Sequence, residues 1–175
     1  MTYSKRILDI VCVTFLAVLL SPIILVTALT ILFLDGRPVF YVSERMRTPN
    51  DGFKLLKFRT MKPVVCDSGV SGGDKRDRIT RTGPFLRRSR LDELPQLWNV
   101  ISGDISFIGP RPPLRQYVEC YPEIYAEVLK SRPGISGLAS IYFHQHEEHL
   151  LSRCKSTQET DMIYRRACIP RKARL

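Results

Sequence analysis

The stretch Ile10–Leu34, IVCVTFLAVLLSPIILVTALTILFL, decides the fold of this chain. It contains no charged side chain and is almost wholly apolar, and an apolar run of about 18 or more residues is typical of a membrane helix. A cleaved signal peptide would have a shorter apolar core. We therefore predict that residues 1–35 form a membrane segment and that residues 36–175 form a separate domain.

Ser21-Pro22 lies near the middle of this apolar run. Proline removes one helical hydrogen bond, and a serine hydroxyl can bond back to the backbone and ease the break. The segment is then either two short arms that dip into one leaflet and return, or a kinked helix that crosses the bilayer. Lys5 and Arg6 precede the run and a basic domain follows it, so positive charge favours the cytoplasmic side at both ends, which only a hairpin satisfies. The residues alone leave both arrangements open.

Composition limits the partners of the chain. It has 175 residues, of which 44% are hydrophobic and 25% charged, so it is long enough for one compact domain and is not disordered. The net charge is +10, and all of it lies in residues 36–175. Such an excess favours nucleic acid, anionic lipid or a phosphorylated substrate. The five cysteines form no C-x-x-C pair, which fits a reducing compartment and argues against a disulfide framework or zinc site.

Beyond the apolar run, the pattern predicts an α+β domain that is mainly helical. Val39–Val42 and Phe53–Phe58 read as strands around a turn at residues 49–52, and residues 63–78 read as a mobile loop. Apolar spacing predicts helices within residues 85–101, within 114–130 and, as an amphipathic interfacial helix, within 159–169. In the last of these helices we expect a split between an apolar and a basic face, with Met162, Ile163 and Ile169 on one side and Arg165 and Arg166 on the other.

The most unusual local feature is Arg87-Arg88-Ser89-Arg90-Leu91-Asp92-Glu93. With Ser89 as N-cap, Asp92 and Glu93 would lie in the first turn of a helix, about 100° apart, and could do two different jobs. One could attack an electrophile while the other holds a divalent cation. The arginines would keep an aspartate ionised and could grip phosphate oxygens. The alternative is a charged helix start stabilised by the helix dipole and ion pairs.

Two further basic motifs are candidates for binding phosphate. Prolines on both sides of Arg111, in Gly109-Pro110-Arg111-Pro112-Pro113, would fix its backbone. Strand alternation would place Lys57 and Arg59 on one face of the second strand. The alternatives are a tight connection with an exposed arginine and a solvated basic strand face.

Three histidines, His144, His146 and His149, lie close together in the sequence. His146 and His149 would share a helix face, but no further ligand completes a metal set. We therefore interpret this segment as a polar, solvated one.

Taken in order, these motifs resemble one family, the bacterial sugar transferases that act on polyprenyl phosphate, known as monotopic phosphoglycosyl transferases. The resemblance covers roughly residues 4–140 and rests on an ordered series: Ser21-Pro22, Gly36-Arg37-Pro38-Val39-Phe40, Lys57-Phe58-Arg59-Thr60-Met61, Leu91-Asp92-Glu93-Leu94-Pro95-Gln96-Leu97, Gly109-Pro110-Arg111-Pro112 and Pro133-Gly134-Ile135-Ser136-Gly137-Leu138-Ala139.

The resemblance implies a function. Members of the family move a sugar phosphate from a UDP-sugar to polyprenyl phosphate and release UMP, as the first membrane step of glycan assembly. It implies that Asp92 is the nucleophile that holds a covalent phosphosugar, that Glu93 helps to bind Mg²⁺, and that Arg111 binds phosphate, with Lys57, Arg59, Arg87 and Arg88 as further substrate-binding candidates. It also implies a re-entrant hairpin broken at Ser21 and Pro22, with the catalytic domain on the cytoplasmic face of the bacterial inner membrane.

Some features depart from the family pattern. Ser140–His144 differs from the commoner continuation with Gly-Arg, which points to a subfamily or to a different sugar pocket. The family often continues beyond a segment like Pro170–Leu175, so we expect that the chain is truncated at its C-terminus. Apolar surface beyond the hairpin would allow a homodimer.

A competing interpretation is a non-enzymatic, basic membrane-surface module that binds anionic lipid or nucleic acid. It gives no reason for the two adjacent carboxylates among arginines. We therefore expect an enzyme that does not bind nucleic acid.

Overall fold

The computed structural model describes residues 2–64 and 69–175. The helices are α1 Tyr3–Leu34, α2 Gly83–Ser89, α3 Gln96–Ser102, α4 Arg115–Cys120, α5 Pro122–Val128, α6 Leu138–Ser152, α7 Thr157–Ile163 and α8 Ile169–Lys172. The strands are β1 Phe40–Met46, β2 Gly52–Phe58, β3 Ser106–Ile108 and β4 Gly134–Ser136. The predicted α+β, mainly helical fold is confirmed.

Helix α1 runs without interruption from Tyr3 to Leu34, with Pro22 inside it. The Ser21 hydroxyl donates to the carbonyl oxygen of Val18 over 2.8 Å, as the sequence suggested. The predicted division into two arms at Ser21-Pro22 is therefore not present in the secondary structure. Proline removes only one N–H group, and the remaining backbone groups stay paired within the helix because an apolar setting offers them no other partner.

One face of α1 packs along residues 36–175, which we call the body. The buried positions Asp9, Val13, Thr27 and Ile31 fall on a single helical stripe that continues past Pro22. The opposite face exposes large apolar side chains along the helix, among them Leu8, Val11, Phe15, Val18, Leu19, Leu25, Val26, Leu29 and Phe33. By length and composition, α1 could cross a membrane.

Both ends of α1 are fastened to the body by side-chain donors. Near the first end, Arg6 donates to the carbonyl oxygens of Val100 (2.7 Å) and Ile101 (2.8 Å) at the end of α3. At the other end, Arg59 donates to the carbonyl oxygens of Asp35 (2.7 Å) and Gly36 (2.8 Å). The whole length of α1 is thus held against the body.

The predicted β-hairpin is confirmed. Strands β1 and β2 pair antiparallel, from Phe40 opposite Phe58 to Met46 opposite Gly52. The side chain of Asn99 in α3 fastens β2, because it accepts from the Leu56 amide (3.0 Å) and donates to the Lys54 carbonyl (2.8 Å). This contact fixes the position of β2 beside the segment that carries Asp92 and Glu93.

The segment predicted as a loop, residues 63–78, lies partly outside the described residues. Its end, Gly73–Arg78, forms a 3₁₀ helix. Asp74 in this helix accepts from the hydroxyls of Thr157 (3.0 Å) and Thr160 (2.9 Å) in α7. The prediction of a loop is therefore wrong for residues 73–78, because contacts distant in sequence order a stretch that has no periodicity of its own.

The second half of the body follows the sequence prediction in part. Helices α4 and α5 are divided at Pro122, as expected. The predicted last helix is α7, a π-helical turn over Tyr164–Cys168, and α8. Ile163 and Ile169 pack into the apolar core, whereas Met162 is exposed, so the three residues predicted to form one apolar face do not all face the core.

Candidate active site

Asp92 and Glu93 lie in a single 3₁₀ turn, Leu91–Glu93, between α2 and α3. The prediction that Ser89 caps a helix here is wrong, because Ser89 is the last residue of α2 and its hydroxyl donates to the Phe85 carbonyl (2.8 Å). Arg90 ends α2 with a left-handed φ of 60°. This backbone conformation ends α2, and α3 begins only at Gln96, directly after Pro95.

Glu93 is the centre of a cluster of cationic side chains. Its Oε1 lies 2.7 Å from Lys57 Nζ, 3.0 Å from Arg111 Nη2 and 3.6 Å from Arg90 Nη1. These three cations come from β2, from the connection after β3 and from the residue that ends α2. Burial by itself would raise the pKa of Glu93, but the charges of Arg111, Lys57 and Arg90 together outweigh it and lower the pKa to about 2.

Asp92 is buried, with only 8% of the residue exposed. Its Oδ1 accepts no hydrogen bond from any described residue. Burial raises the pKa of Asp92, while the charges of Lys57 and Arg87 act in the opposite direction. The expectation that the arginines dominate is therefore corrected: they moderate the effect of burial rather than reverse it.

The predicted substrate-binding cations divide into two groups. Arg87 is held beside Asp92 by the bond from its Nε to the Thr60 hydroxyl (3.0 Å). Arg59, in contrast, is buried under the end of α1 and does not join Lys57, because β2 ends at Phe58 and strand alternation ends with it. Arg88 is exposed and pairs with no side chain in the described part of the chain.

Arg111 is mounted on a connection that two short strands hold in place. Strands β3 and β4 are parallel, and the connection continues their ladder through Gly109 N to Ser136 O (2.9 Å) and Gly134 N to Pro110 O (2.9 Å). The two backbone segments approach so closely that a Cβ on Gly134 would lie 2.3 Å from Gly109 N. The prolines were expected to fix Arg111, but the strand pairing, which the sequence did not predict, also holds it.

Comparison with known proteins supports this arrangement of motifs. Residues 1–169 match the family described as bacterial sugar transferase. The chain belongs to the bacterial sugar transferase family.

Three relatives of the chain illustrate the match. The chain is 36% identical over 164 residues to a UDP-glucose:undecaprenyl-phosphate glucose-1-phosphate transferase of Klebsiella pneumoniae, covering 91% of the chain and 35% of the relative. It is 37% identical over 145 residues to a UDP-N-acetylgalactosamine-undecaprenyl-phosphate N-acetylgalactosaminephosphotransferase of Aeromonas hydrophila, covering 79% and 34%. It is 35% identical over 154 residues to the exopolysaccharide production protein ExoY of Sinorhizobium fredii, covering 79% and 68%. The chain thus spans about a third of the length of the first two relatives.

Two further residues lie at the site: Arg90, which the sequence placed among the arginines of the motif, and His144, which sequence reasoning did not place there. Arg90 contacts Glu93, and its guanidinium also reaches Nε2 of His144 on α6. The position of Arg90 directly before Leu-Asp-Glu was a signal for the first contact, but nothing in the sequence places α6 beside it. Among the described residues, no group of three or more His, Cys, Asp and Glu side chains could hold a metal.

Asp92 and Glu93 are the residues that could hold a magnesium ion. Magnesium binds to one or two protein carboxylates and to substrate phosphates. Glu93 meets its three cations through Oε1. Asp92 next to it has a buried oxygen that lacks a partner among the described residues. The donor set therefore fits Mg²⁺ that arrives with a diphosphate.

An apolar groove lies between the second half of α1 and helix α2. Pro22, Val26 and Thr30 form one wall, and Phe85 and Leu91 form the other. Leu91, which lines the groove, directly precedes Asp92 in the sequence. The chain therefore has an apolar surface beside its long apolar helix.

Proposed function

We propose that this chain transfers a sugar-1-phosphate from a UDP-sugar to polyprenyl phosphate, of which undecaprenyl phosphate is the example named in the relatives, and releases UMP. The observation that carries the proposal is the pair Asp92 and Glu93. One carboxylate has an unpartnered buried oxygen, and the other is saturated with cations that suit phosphate. No finding favours the alternative of a non-enzymatic basic module.

The first step uses Asp92 as nucleophile. A carboxylate oxygen of Asp92 attacks the phosphorus nearest the sugar, and the bond from that phosphorus to the bridging oxygen breaks. UMP leaves with the bridging oxygen and the electron pair, and a phosphosugar remains on Asp92. Asp92 serves as nucleophile only when ionised, so the cations around it, Lys57 and Arg87, are needed to offset the effect of burial on its pKa.

In the second step, Asp92 is the leaving group. An oxygen of polyprenyl phosphate attacks the same phosphorus, the bond to Asp92 breaks, and the carboxylate is regenerated. The product is a polyprenyl diphosphosugar. Since one product leaves before the second substrate reacts, ping-pong kinetics are expected.

The cations stabilise the charge that develops on phosphate oxygens. Arg111 and Lys57 now pair with Glu93, and a substrate phosphate would share these donors. When bound through Glu93, Mg²⁺ would neutralise the negative charge of the diphosphate and of the departing UMP. Arg87, fixed by Thr60, lies beside Asp92 and stabilises its carboxylate, which loses its charge in the first step and regains it in the second.

The attachment of α1 supports a monotopic position in the membrane. Its two ends are bound to the body through Arg6 and Arg59, and one face packs on the body along its length. If α1 crossed the bilayer, its two ends would lie on opposite sides of a hydrocarbon core about 30 Å thick. We therefore propose that α1 enters one leaflet without crossing it and that the body lies on the cytoplasmic face.

The acceptor lipid fits the same geometry. The apolar groove beside Pro22 and Phe85 suits a polyprenyl chain, and a chain that passes Leu91, which lines the groove, would bring the lipid phosphate towards Asp92. The head of the lipid and a soluble nucleotide sugar could then meet at the membrane surface.

The test is release of UMP from a panel of UDP-sugars by the chain in detergent or nanodiscs, with and without polyprenyl phosphate and Mg²⁺. A sugar-labelled substrate without acceptor should leave the label on Asp92, located by peptide mass spectrometry. Absence of UMP release with every UDP-sugar, from a folded chain, would contradict the proposal.

A further inference from the structure

Arg90 connects the candidate active site to helix α6. It is the only described residue other than glycine with a positive φ, at 60°, a conformation that costs free energy for an arginine. From this position its Nη1 lies 3.6 Å from Glu93 Oε1, while its Nη2 contacts Nε2 of His144. The two contacts are made by different nitrogens of the guanidinium, so together they fix the direction in which it points.

The contact with His144 has a chemical requirement. Guanidinium is a donor only, so Nε2 of His144 must present a lone pair, which exists only in the neutral ring protonated at Nδ1. Arg90 and His144 remain 46% and 47% exposed, so Arg90 keeps donors that are accessible from the site. A charged donor held at two points loses less conformational freedom when it binds phosphate.

We propose that His144 is a positioning residue, which holds Arg90 towards Glu93 so that Arg90 forms a third phosphate-binding cation with Lys57 and Arg111 for the diphosphate of the nucleotide sugar. This inference rests on the proposed function. His144 itself touches no reacting atom and acts through Arg90.

The charges around His144 decide how it responds to pH. Arg90 and Arg111 face it from the site, and Glu147 and Glu148 from its own helix, with Glu148 Oε2 at 3.7 Å. Burial and then the charge of Arg90 lower the pKa of His144. Protonation removes the acceptor and places two cations side by side, which releases Arg90.

A first experiment tests the pairing without any activity. The pKa of the His144 ring is measured by NMR on histidine-labelled protein in detergent, in the unchanged chain and in Arg90→Gln. Loss of the neighbouring cation should raise the pKa of His144 and leave that of His149, an exposed residue on the same helix, unchanged. An identical pKa of His144 in both proteins would overturn the pairing.

A second experiment tests the consequence for the donor substrate. His144→Ala should raise the KM for the UDP-sugar roughly tenfold, the size expected for loss of one charge-assisted hydrogen bond, with little change in kcat. His144→Gln offers an acceptor that does not titrate, so it should restore most of the affinity. His149→Ala is the matched control and should behave as the unchanged chain.

The pH profile separates positioning from a structural role. In the unchanged chain, KM should rise as the pH falls through the pKa of His144, and this rise should be absent from His144→Gln. An unaltered profile in His144→Gln, or a KM of His144→Ala equal to that of His149→Ala, would overturn the inference. Failure of the proposed function would instead appear as no UMP release from the unchanged chain, and the NMR titration would still decide whether the pairing exists.

Discussion

Lys57 Nζ and Glu93 Oε1 lie 2.7 Å apart, although 36 positions separate the two residues in the chain. This ion pair joins strand β2 to the turn that carries Asp92. It is mostly withdrawn from water, with 16% of the Lys57 side chain and 11% of the Glu93 side chain exposed. An ion pair in such surroundings needs both partners, because removing either leaves an uncompensated charge.

Substitution of the proposed nucleophile should stop turnover. Asp92→Asn keeps the shape of the side chain but removes the anionic oxygen, so UMP release should fall by roughly a thousandfold or more, with no labelled adduct. Because the carboxyl pKa is raised in the folded chain, ionisation of Asp92 costs stability at neutral pH, and the variant should melt at an equal or higher temperature. Asp51→Asn, at an exposed carboxylate, is the control. Full activity of a deamidation-free Asp92→Asn preparation would refute the covalent mechanism.

The Glu93 carboxylate should contribute to stability in a pH-dependent way. Its pKa is lowered from an ordinary 4.5 to about 2, so its contribution is present above pH 4.5 and is lost as the pH falls towards 2. The shift corresponds to about 3 kcal/mol. We expect Glu93→Gln to unfold at lower denaturant than the unchanged chain at pH 7, and the difference to shrink in acid. A difference that is constant with pH would contradict the charge cluster.

The close approach of the strands around Arg111 can be tested by adding one methyl group. Gly134→Ala places a Cβ 2.3 Å from Gly109 N, so the connection that carries Arg111 has to move. We expect a loss of stability of about 1–3 kcal/mol, measured by thermal unfolding, together with a larger KM for the UDP-sugar. Ala126→Gly, at an exposed position in α5, controls for a general loss of stability. An unchanged KM would mean that the mounting of Arg111 does not depend on this contact.

The monotopic position that we propose for α1 predicts that its two ends are accessible from the same side of the membrane. Single cysteines at Tyr3 and Arg37, in a chain whose own cysteines are replaced, should react with a membrane-impermeant maleimide only after the cells are opened. Labelling of one position in intact spheroplasts and of the other only after lysis would show that the helix crosses the bilayer.

Arg59 and Lys57 lie two positions apart in the sequence but should have different roles, because Arg59 holds the end of α1. Arg59→Ala removes the donor to the carbonyls of Asp35 and Gly36, so it should destabilise the fold by about 1–3 kcal/mol. Lys57→Ala should in addition reduce kcat, since Lys57 belongs to the phosphate-binding cluster. Equal effects of both changes on kcat, at temperatures where both proteins are folded, would contradict this division of roles.

The apolar run, the β-hairpin and the split of α4 from α5 at Pro122 follow from local rules. Apolar length, turn residues and proline act over a few positions, so they can be recognised without the rest of the chain. The 3₁₀ turn at Asp92 was mistaken for a helix start because Ser89 has a good capping side chain. The left-handed backbone of Arg90, which ends α2, has no signal in the sequence. The pairing of β3 with β4 was missed because each has only three residues.

By itself, the sequence determined the membrane-type helix, the fold class and the set of charged residues from which the site is drawn, because hydrophobic period and ordered motifs are properties of neighbouring residues. Only the tertiary structure decided that Lys57 meets Glu93 while Arg59 fastens α1, and that α6 brings His144 to Arg90. Such contacts depend on where separate elements pack, and an ion pair forms only between groups that packing has already brought within a few ångströms.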